Sequence, residues 1–300
     1  MILLVGATGR LGKAVAERLL EQRTPFRAAC RNPARAQWLK DRGVEVVQLD
    51  VETGAGLAEA VSGATKVISC VHGLLGKSRH SVERVDVRGQ AGLIDAAAAA
   101  GVKRFVFVSA LGASPDHPSE FWRAKAATEQ HLRKSGLEFV ILRPSAFMDL
   151  YAHDLIGAAV VRGKTVFLLG SGNAPRNLVA VSDVAEAAVK ALSQPELGGQ
   201  VIEFGGRDNL SEREVAAVYA GLSGRAGKVR SLPVPLLRLL ATIISPFHAG
   251  IARILRSPMQ LAGRQDLCLD PSDAVDRLGI EPVRLAKYAE ARVNAAAASS

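Results

Sequence analysis

Short apolar runs alternate with longer segments of helical periodicity through the first half of the chain. The runs 2–5, 66–71 and 102–109 have the length and apolar content of buried strands, and segments such as 13–20 repeat apolar residues at helical spacing. This alternation predicts a parallel sheet covered by helices on both faces. The predicted strands are 2–5, 25–30, 44–49, 66–71, 102–109 and 137–142, and the predicted helices are 13–20, 33–42, 54–62, 79–100 and one capped by Ser119 that runs to 134.

The rhythm changes after Pro144. Candidate short strands lie at 166–169, 179–181 and 201–204, and helices are predicted to follow Ser182 and Ser211 as N-caps. The small residues 295–300 predict a frayed tail. We therefore expect a core in residues 1–150 and a smaller substrate-side region, 151–300, that is interleaved with the core.

A glycine-rich turn follows the first predicted strand at once. Residues 6–12 read GATGRLG and lead into the first predicted helix. Gly6 permits a sharp turn, Gly9 lets a pyrophosphate approach the backbone, and Gly12 lets the helix pack against the strand. The helix N-terminus then offers amide groups to the phosphates. The pattern predicts a doubly wound parallel-sheet Rossmann fold with a smaller C-terminal substrate-side region, whose nucleotide-binding turn contributes Gly6, Thr8, Gly9, Arg10, Leu11 and Gly12.

The end of the second predicted strand bears on which nucleotide is bound. An acid there would select NAD, but the chain reads Cys30-Arg31-Asn32-Pro33. Two guanidinium groups, Arg31 and Arg10, favour the 2′-phosphate of NADP(H) over NAD(H), and solvated surface arginines are the alternative.

The end of the third predicted strand supplies two more candidates for the nucleotide site. Asp50 is a candidate acceptor for the adenine amino group, with Val51 beside it. A loop carboxylate that caps the following helix is the alternative for Asp50.

Composition adds a charge asymmetry to this picture. The 300 residues include 38 basic and 29 acidic side chains, a net charge of +9. No Asp or Glu occurs between 215 and 265, where the cations are Arg225, Lys228, Arg230, Arg238, Arg253, Arg256 and Arg264. Three cysteines without a CxxC pair predict reduced thiols in a cytoplasmic protein. We expect no signal peptide, no transmembrane helix and no metal site.

Several motifs together resemble one enzyme class. These are the turn 6–12, Arg31-Asn32-Pro33, the VFVS run at 106–109, the LRPS run at 142–145 with Phe147 and Met148, and the VSDVA run at 181–185. Over roughly residues 1–205 the chain resembles the atypical short-chain dehydrogenases/reductases. It is most similar to their NmrA-like group, and also to the complex I accessory-subunit branch and photosystem-assembly factors. The resemblance implies a Rossmann-type core and an NAD(P)H site.

The resemblance also defines the catalytic question. Enzymes of the wider family use a Tyr-x-x-x-Lys pair, and here the pair reads Phe121 and Lys125. The usual Ser or Thr matches Leu111, with Ser109 two residues earlier. The resemblance implies that Lys125 binds the nicotinamide ribose; a surface ion pair with Glu129 is the alternative.

Three outcomes stay open for the chemistry. Lys125 acts as acid or base, His72 supplies the proton, or the chain binds the nucleotide without turnover. For His72 a solvated loop histidine is the favoured interpretation.

The residues after the sixth predicted strand form a further candidate contact. In the family, the loop that holds Pro144, Ser145 and Phe147 lies against the nicotinamide, and the Ser145 backbone would meet the carboxamide. Simple turn chemistry after a buried strand is the alternative.

The segment 232–256 combines apolar residues with cations. Residues 232–247 contain one charge, Arg238, and apolar side chains at helical spacing that should end at Pro246. A second apolar turn near 251–255 has Arg253 and Arg256 within or beside it. We favour a helical lid over an apolar substrate; a contact with a membrane surface or a membrane complex is the open alternative. Nucleic acid is disfavoured because stacking aromatics are scarce.

Two functions fit these observations. The first is an NADPH-dependent reductase of a small apolar carbonyl or quinone-like substrate. The second is a non-catalytic NADP(H)-binding redox sensor or assembly factor for a membrane complex. Phe121 favours the second hypothesis. The residues expected to bind NADPH are all present, however, and for this reason we slightly favour the enzyme.

Overall fold

The chain forms two compact units. The computed structural model describes residues 1–225, 227–261, 267–270 and 272–298. The first unit comprises Met1–Arg143 and Val184–Ile202, and the second comprises Pro144–Asp183 and Glu203–Ser300. The chain passes from one unit to the other after Arg143, Asp183 and Ile202.

Helices and strands follow one another through both units. Up to Pro144 they are β1 (Ile2–Val5), α1 (Arg10–Glu21), β2 (Phe26–Cys30), α2 (Gln37–Lys40), β3 (Glu45–Gln48), α3 (Leu57–Val61), β4 (Lys66–Ser69), α4 (Gln90–Ala99), β5 (Arg104–Val108), α5 (Glu120–Lys134) and β6 (Glu138–Pro144). From Ala146 they are β7 (Ala146–Phe147), α6 (Ala158–Val161), β8 (Val166–Leu169), β9 (Arg176–Val179), α7 (Val181–Lys190), β10 (Gln200–Phe204), β11 (Asp208–Leu210), α8 (Glu212–Ser223), β12 (Val229–Leu232), α9 (Val234–Ile244), α10 (Ala249–Leu261), α11 (Ser272–Leu278) and α12 (Leu285–Ala298). Glu83–Gly89 and Met148–Gly157 are wound as π-helices, and Pro33–Ala36 and Pro195–Leu197 form 3₁₀ turns.

A seven-stranded sheet has the order β10-β6-β5-β4-β1-β2-β3. The strands from β6 to β3 pair in parallel. The strand order reverses beside β1, which lies between β2 and β4, and this reversal is the switch point where doubly wound folds bind their ligands. The predicted doubly wound parallel fold is confirmed.

Both faces of the central strands are covered, which explains their continuous apolar sequences. Leu3 on β1, Val67 on β4 and Phe105 on β5 are fully buried in one cluster with Leu93 and Ile94 of α4. Full burial of such a side chain contributes about 1.5–3 kcal/mol.

The turn between β1 and α1 depends on two glycines. Gly6 has a φ of +88°, a conformation that side chains with a Cβ rarely adopt. A Cβ on Gly12 would lie 2.1 Å from the carbonyl oxygen of Gly6, so only glycine lets α1 begin this close to the strand.

The bounds of the predicted strands in the first unit agree with the structure to within two residues. The bounds of its predicted helices differ by more. The helix predicted at 13–20 starts earlier, because Gly9 is its N-cap and the glycine turn supplies its first residues. The helix predicted at 33–42 begins as a 3₁₀ turn after Asn32, whose side chain accepts the Ala34 amide at 3.1 Å. The helix predicted at 79–100 is a π-helical segment followed by α4.

The second unit departs most from prediction. The strand predicted at 179–181 is β9, and α7 starts at Val181, so Ser182 is not its N-cap. The reason is a distant partner: the carboxylate of Asp149 accepts the Val181 amide at 3.2 Å. Ser211 does cap α8, in a capping box with Glu214. The prediction of a frayed tail from 295 is wrong as far as Ala298, because α12 continues to that residue. Residues 299–300 lie outside the described residues.

We expect Gly12→Ala to lower the free energy of unfolding by about 1–3 kcal/mol, because the added methyl group meets backbone atoms. Gly221→Ala in α8 is the matched control, since a Cβ there meets nothing within 4 Å and should be neutral or stabilising by about 0.5–1 kcal/mol. Urea unfolding of both variants measures the difference. Equal stability of the two would show that the turn tolerates a Cβ.

Candidate functional site

The first turn of α1 presents its amides without competition from a side-chain cap. Gly9 is an exposed N-cap with extended backbone geometry, no side chain caps the helix, and its first turn contains no acid. Such an end suits a phosphate group. Thr8 is half-buried and Arg10 exposed at this turn, whereas Leu11 is buried in the core. The glycine turn therefore fits the pyrophosphate for which it was predicted.

Cations gather at the carboxyl end of β2. Arg31 is exposed directly after the strand. Burial raises the pKa of the Cys30 thiol, while the Asn32 backbone and the charges of Lys40 and Arg35 act in the opposite direction. Arg35 and Lys40 thus add positive charge that sequence reasoning missed.

Asp50 and Val51 have partners in their own surroundings. The Asp50 carboxylate accepts the Glu52 amide at 3.0 Å, which closes a tight turn and does not cap α3. A carboxylate can accept more than one hydrogen bond, so the contact of Asp50 with the adenine amino group stays a prediction. The Val51 side chain packs in the core, so any contact of Val51 with a nucleotide would come from its backbone.

Lys125 is buried beside a carboxylate. Its side chain is 3% exposed, and its ammonium lies 3.2 Å from Oδ1 of the fully buried Asp86. The ammonium also donates to the carbonyl oxygen of Val108 at 3.2 Å and lies over the rings of Phe107 and Phe121. The Asp86 carboxylate is therefore the counter-ion of the buried lysine.

The alternative for Lys125, a surface pair with Glu129, is wrong. Glu129 is buried and takes two hydrogen bonds from Arg143, at 2.9 and 2.7 Å, and one from Arg133 at 3.1 Å. The Asp86 carboxylate therefore pairs with Lys125, whereas the Glu129 carboxylate pairs with Arg143 and Arg133.

The hydroxyl groups used by related enzymes are absent from the matching positions. Phe121 and Leu111 are both buried and apolar. Ser109 donates to Glu129 at 2.5 Å and is itself buried, so its hydroxyl is held inside the fold. A proton donor, if one is present, has to come from another residue.

The loop after β4 is held on both sides of His72. The side-chain amide of Gln90 donates to the carbonyl oxygen of Val71 at 3.2 Å. The carboxylate of Asp86 accepts the Gly73 amide at 2.6 Å. Both side chains come from the helical segment that precedes β5, and both are fully buried. The backbone that carries His72 is therefore fixed by the same carboxylate that pairs with Lys125.

The His72 ring stands at the edge of this cluster. It is exposed and meets the Phe121 ring edge-on, with centroids 6.1 Å apart. Surrounding protein atoms lower the pKa of His72, the Lys125 charge lowers it further, and Asp86 opposes this. Burial raises the pKa of the neighbouring Cys70 thiol to about 12, so this cysteine is a neutral thiol. His72 is exposed as predicted, but it is not merely a solvated side chain.

The residues after β6 have structural partners in the second unit. The Ser145 amide donates to the carbonyl oxygen of Phe204 at 2.8 Å, and its hydroxyl donates to Asn177 at 2.8 Å. That amide is therefore not available for a carboxamide, and the predicted contact is restricted to other atoms of the loop. Pro144 is buried at the end of β6, and Phe147 is half-buried in β7.

Sequence reasoning missed Asp86 and Gln90 although a signal was present. Val82, Asp86, Gln90 and Leu93 follow one another at three- or four-residue spacing, and all are buried. Two polar residues inside the apolar stripe of a helix indicate buried partners.

Segment 232–256 forms α9 and the first part of α10. Helix α9 ends at Ile244, two residues before Pro246, as the sequence predicts. Among the described residues, no helix combines the length and the apolar character that crossing a bilayer requires. The lid and the membrane contact both remain predictions.

Comparison with known proteins agrees with this geometry. A family model described as NAD(P)H-binding matches residues 6–195. The chain is 34% identical over 225 residues to an NAD(P)H azoreductase of Xenophilus azovorans, covering 75% of this chain and 74% of the relative. It is 26% identical over 284 residues to the photosystem II assembly factor Ycf39 of Guillardia theta, covering 94% and 89%.

A solved structure extends the comparison to nearly the whole chain. The NADPH complex of an NADPH-dependent quinone oxidoreductase from Escherichia coli superimposes with a TM-score of 0.79 at 26% identity, covering 96% of this chain and 98% of the other. The chain therefore belongs to the NAD(P)H-binding family, within the atypical short-chain dehydrogenase/reductase class.

Proposed function

We propose that the protein is an NADPH-dependent reductase of small apolar acceptors such as quinones or azo compounds. The observation that carries the proposal is the fixed loop of His72 beside the glycine turn. A Cβ on Gly6 would lie 2.8 Å from the Val71 side chain, so the two loops meet at the switch point of the sheet. The azoreductase and quinone oxidoreductase relatives support this acceptor class.

The nucleotide is held by groups of the first unit. The amides at the start of α1 bind the pyrophosphate, Arg31 and Arg10 bind the 2′-phosphate of NADPH, and Lys125 binds the nicotinamide ribose. Further candidate contacts to the nucleotide are Asp50, Val51, Pro144 and Phe147. The backbone atom of Ser145 that could meet the carboxamide is its carbonyl, because its amide is already bonded to Phe204. A bound reduced nicotinamide would supply hydride to an electrophilic carbon or nitrogen of the acceptor.

Lys125 acts through its charge and its position. Asp86 lies 3.2 Å from the ammonium as its counter-ion, and the hydrogen bond to the Val108 carbonyl fixes the direction of the ammonium. This arrangement suits a group that binds a ribose hydroxyl and polarises its surroundings. Asp86 and Gln90 are positioning residues, because each acts through the loop or the lysine that it holds.

His72 supplies the proton that reduction requires. Reduction of a quinone or an azo group adds two electrons and two protons; hydride accounts for both electrons and one proton, and the imidazolium of His72 gives the second proton to the anionic heteroatom. The exposed ring then regains a proton from solvent. We place the protein in the cytoplasm, where its three unpaired thiols stay reduced.

A second candidate is a nucleotide-binding assembly factor without turnover. The buried Phe121 in place of the catalytic tyrosine favours it, as does the similarity to Ycf39 over 94% of the chain. The two candidates differ in one outcome, the consumption of NADPH.

Arg31→Gln tests the preference for NADPH. We expect its Kd for NADPH to rise about tenfold, because a charge-assisted contact to the 2′-phosphate is lost, while its Kd for NADH is unchanged. Fluorescence titration measures both constants, and Arg162→Gln, another exposed arginine, is the control. Equal weakening of NADH binding would contradict the assignment.

His72→Asn tests the reductase itself. We expect the wild-type protein to oxidise NADPH with a quinone or an azo dye, and the variant to lose about 10²-fold in kcat with an unchanged Kd for NADPH. Since the pKa of His72 is lowered in the unliganded protein, wild-type kcat/KM should fall as the pH rises through an inflection below the ordinary histidine pKa, and the variant should lack this inflection. His80→Asn, in the same loop region, is the control.

Two results would overturn parts of this scheme. Tight NADPH binding without consumption across the acceptor panel would favour the assembly factor over the reductase. Turnover that His72→Asn leaves unchanged would remove His72 from the reaction while leaving the reductase in place.

Asp86→Asn and Asp86→Asn/Lys125→Met separate folding from function. We expect the single variant to lose about 3–5 kcal/mol of unfolding free energy, because it leaves a buried ammonium without its anion. The double variant should recover most of the stability, yet bind NADPH at least about tenfold more weakly than the wild type.

Urea unfolding and fluorescence titration measure these two quantities. Lys134→Met, an exposed lysine at the end of α5, is the control. Wild-type affinity in the double variant would show that Lys125 does not contact the nucleotide.

A further inference from the structure

Helix α9 exposes one apolar face to solvent. Leu236, Leu239 and Ile243 are 39%, 56% and 56% exposed, whereas Leu237 and Ala241 on the opposite side are fully buried. At 100° per residue, the three exposed side chains fall within about 60° of one another. The helix therefore packs on the second unit with one side and presents a continuous aliphatic stripe on the other.

Two further exposed apolar residues lie in the turn that connects α9 to α10 and at the start of α10. Phe247 in this turn is 80% exposed, the largest value among the exposed large apolar side chains, and Ile251 at the start of α10 is 46% exposed. We call Leu236, Leu239, Ile243, Phe247 and Ile251 the apolar face. Several exposed large apolar side chains within one short segment indicate a binding surface.

The segment that carries the apolar face has charges of one sign. The sequence holds no acid from 215 to 265, and the exposed cations among its described residues are Arg225, Lys228, Arg230 and Arg238. Arg230 of β12 pairs in register with Phe167 of β8, another exposed apolar residue at 52%. The surface therefore fits a partner that is negatively charged and can also bury aliphatic side chains.

The composition of the segment favours lipid over protein as that partner. Protein interfaces concentrate their binding energy in Trp, Tyr and Arg, and of these three the segment supplies only arginine. Residues 227–261 contain neither Trp nor Tyr, and the apolar face is aliphatic apart from Phe247. The two helices have 11 and 13 residues, which suits helices lying in the plane of a bilayer surface.

We propose that the apolar face inserts into the headgroup region of an anionic phospholipid bilayer. Phe247 and the aliphatic side chains enter the boundary between headgroups and acyl chains, and the surrounding cations attract the phosphate groups. The inference rests on this face alone and does not depend on the proposed reductase activity. A reductase bound in this way would meet apolar acceptors at the membrane surface.

Cosedimentation with vesicles tests the proposal on the full chain without nucleotide. We expect binding to vesicles of phosphatidylcholine with phosphatidylglycerol, and much weaker binding to phosphatidylcholine alone. Leu239→Asn/Phe247→Ser should lower partitioning by at least about tenfold, because less apolar surface is buried. Leu222→Asn in α8, a leucine of 40% exposure outside the face, is the matched control.

A second variant tests whether the cations contribute to membrane binding. Arg230→Gln/Arg238→Gln should lower partitioning about fivefold for each cation removed, and added salt should reduce the difference. No binding to anionic vesicles at low salt, or equal binding of the wild type and Leu239→Asn/Phe247→Ser, would overturn the proposal. So would a solution dimer that Leu239→Asn/Phe247→Ser dissociates, since a second copy would then occupy the face.

Discussion

The buried carboxylate of Asp86 is the interaction on which the first unit's site depends. One oxygen lies beside the Lys125 ammonium of α5, and the other accepts the Gly73 amide after β4. The Asp86 carbonyl also accepts the Thr128 hydroxyl. A fully buried anion is costly unless a cation compensates its charge, so these partners are constrained to stay where they are. One side chain thus fixes the relation of a π-helical segment, a loop and α5.

This constraint explains how a site without the usual tyrosine can remain organised. Phe121 fills the tyrosine position with an apolar ring, beneath which the Lys125 ammonium lies. The Lys125 ammonium is paired with Asp86, and the imidazole of His72 is exposed at the edge of this cluster. Glu129, one turn further along α5, is paired with Arg143 and Arg133. The two buried acids have different roles because they have different cations.

The sequence predicted the first strand and the glycine turn of the first unit well, because local rules determine both. The bounds of β1 and the glycine turn follow from an apolar run and from backbone space that only glycine leaves. Lys125 was identified through the family resemblance, but its partner Asp86 was missed, because it lies 39 positions away and the buried polar residues in its helical stripe were not recognised. The second unit was predicted least well, because its short strands pair with distant segments and Asp149 caps α7 from outside.

Hydrogen exchange at the Gly73 amide tests most directly whether Asp86 fixes this loop. If the carboxylate holds the amide in the native state, Gly73 should exchange only through global unfolding, as slowly as the amides of β1. Exchange as fast as that of Lys77, in the exposed part of the same loop, would contradict the role given to Asp86.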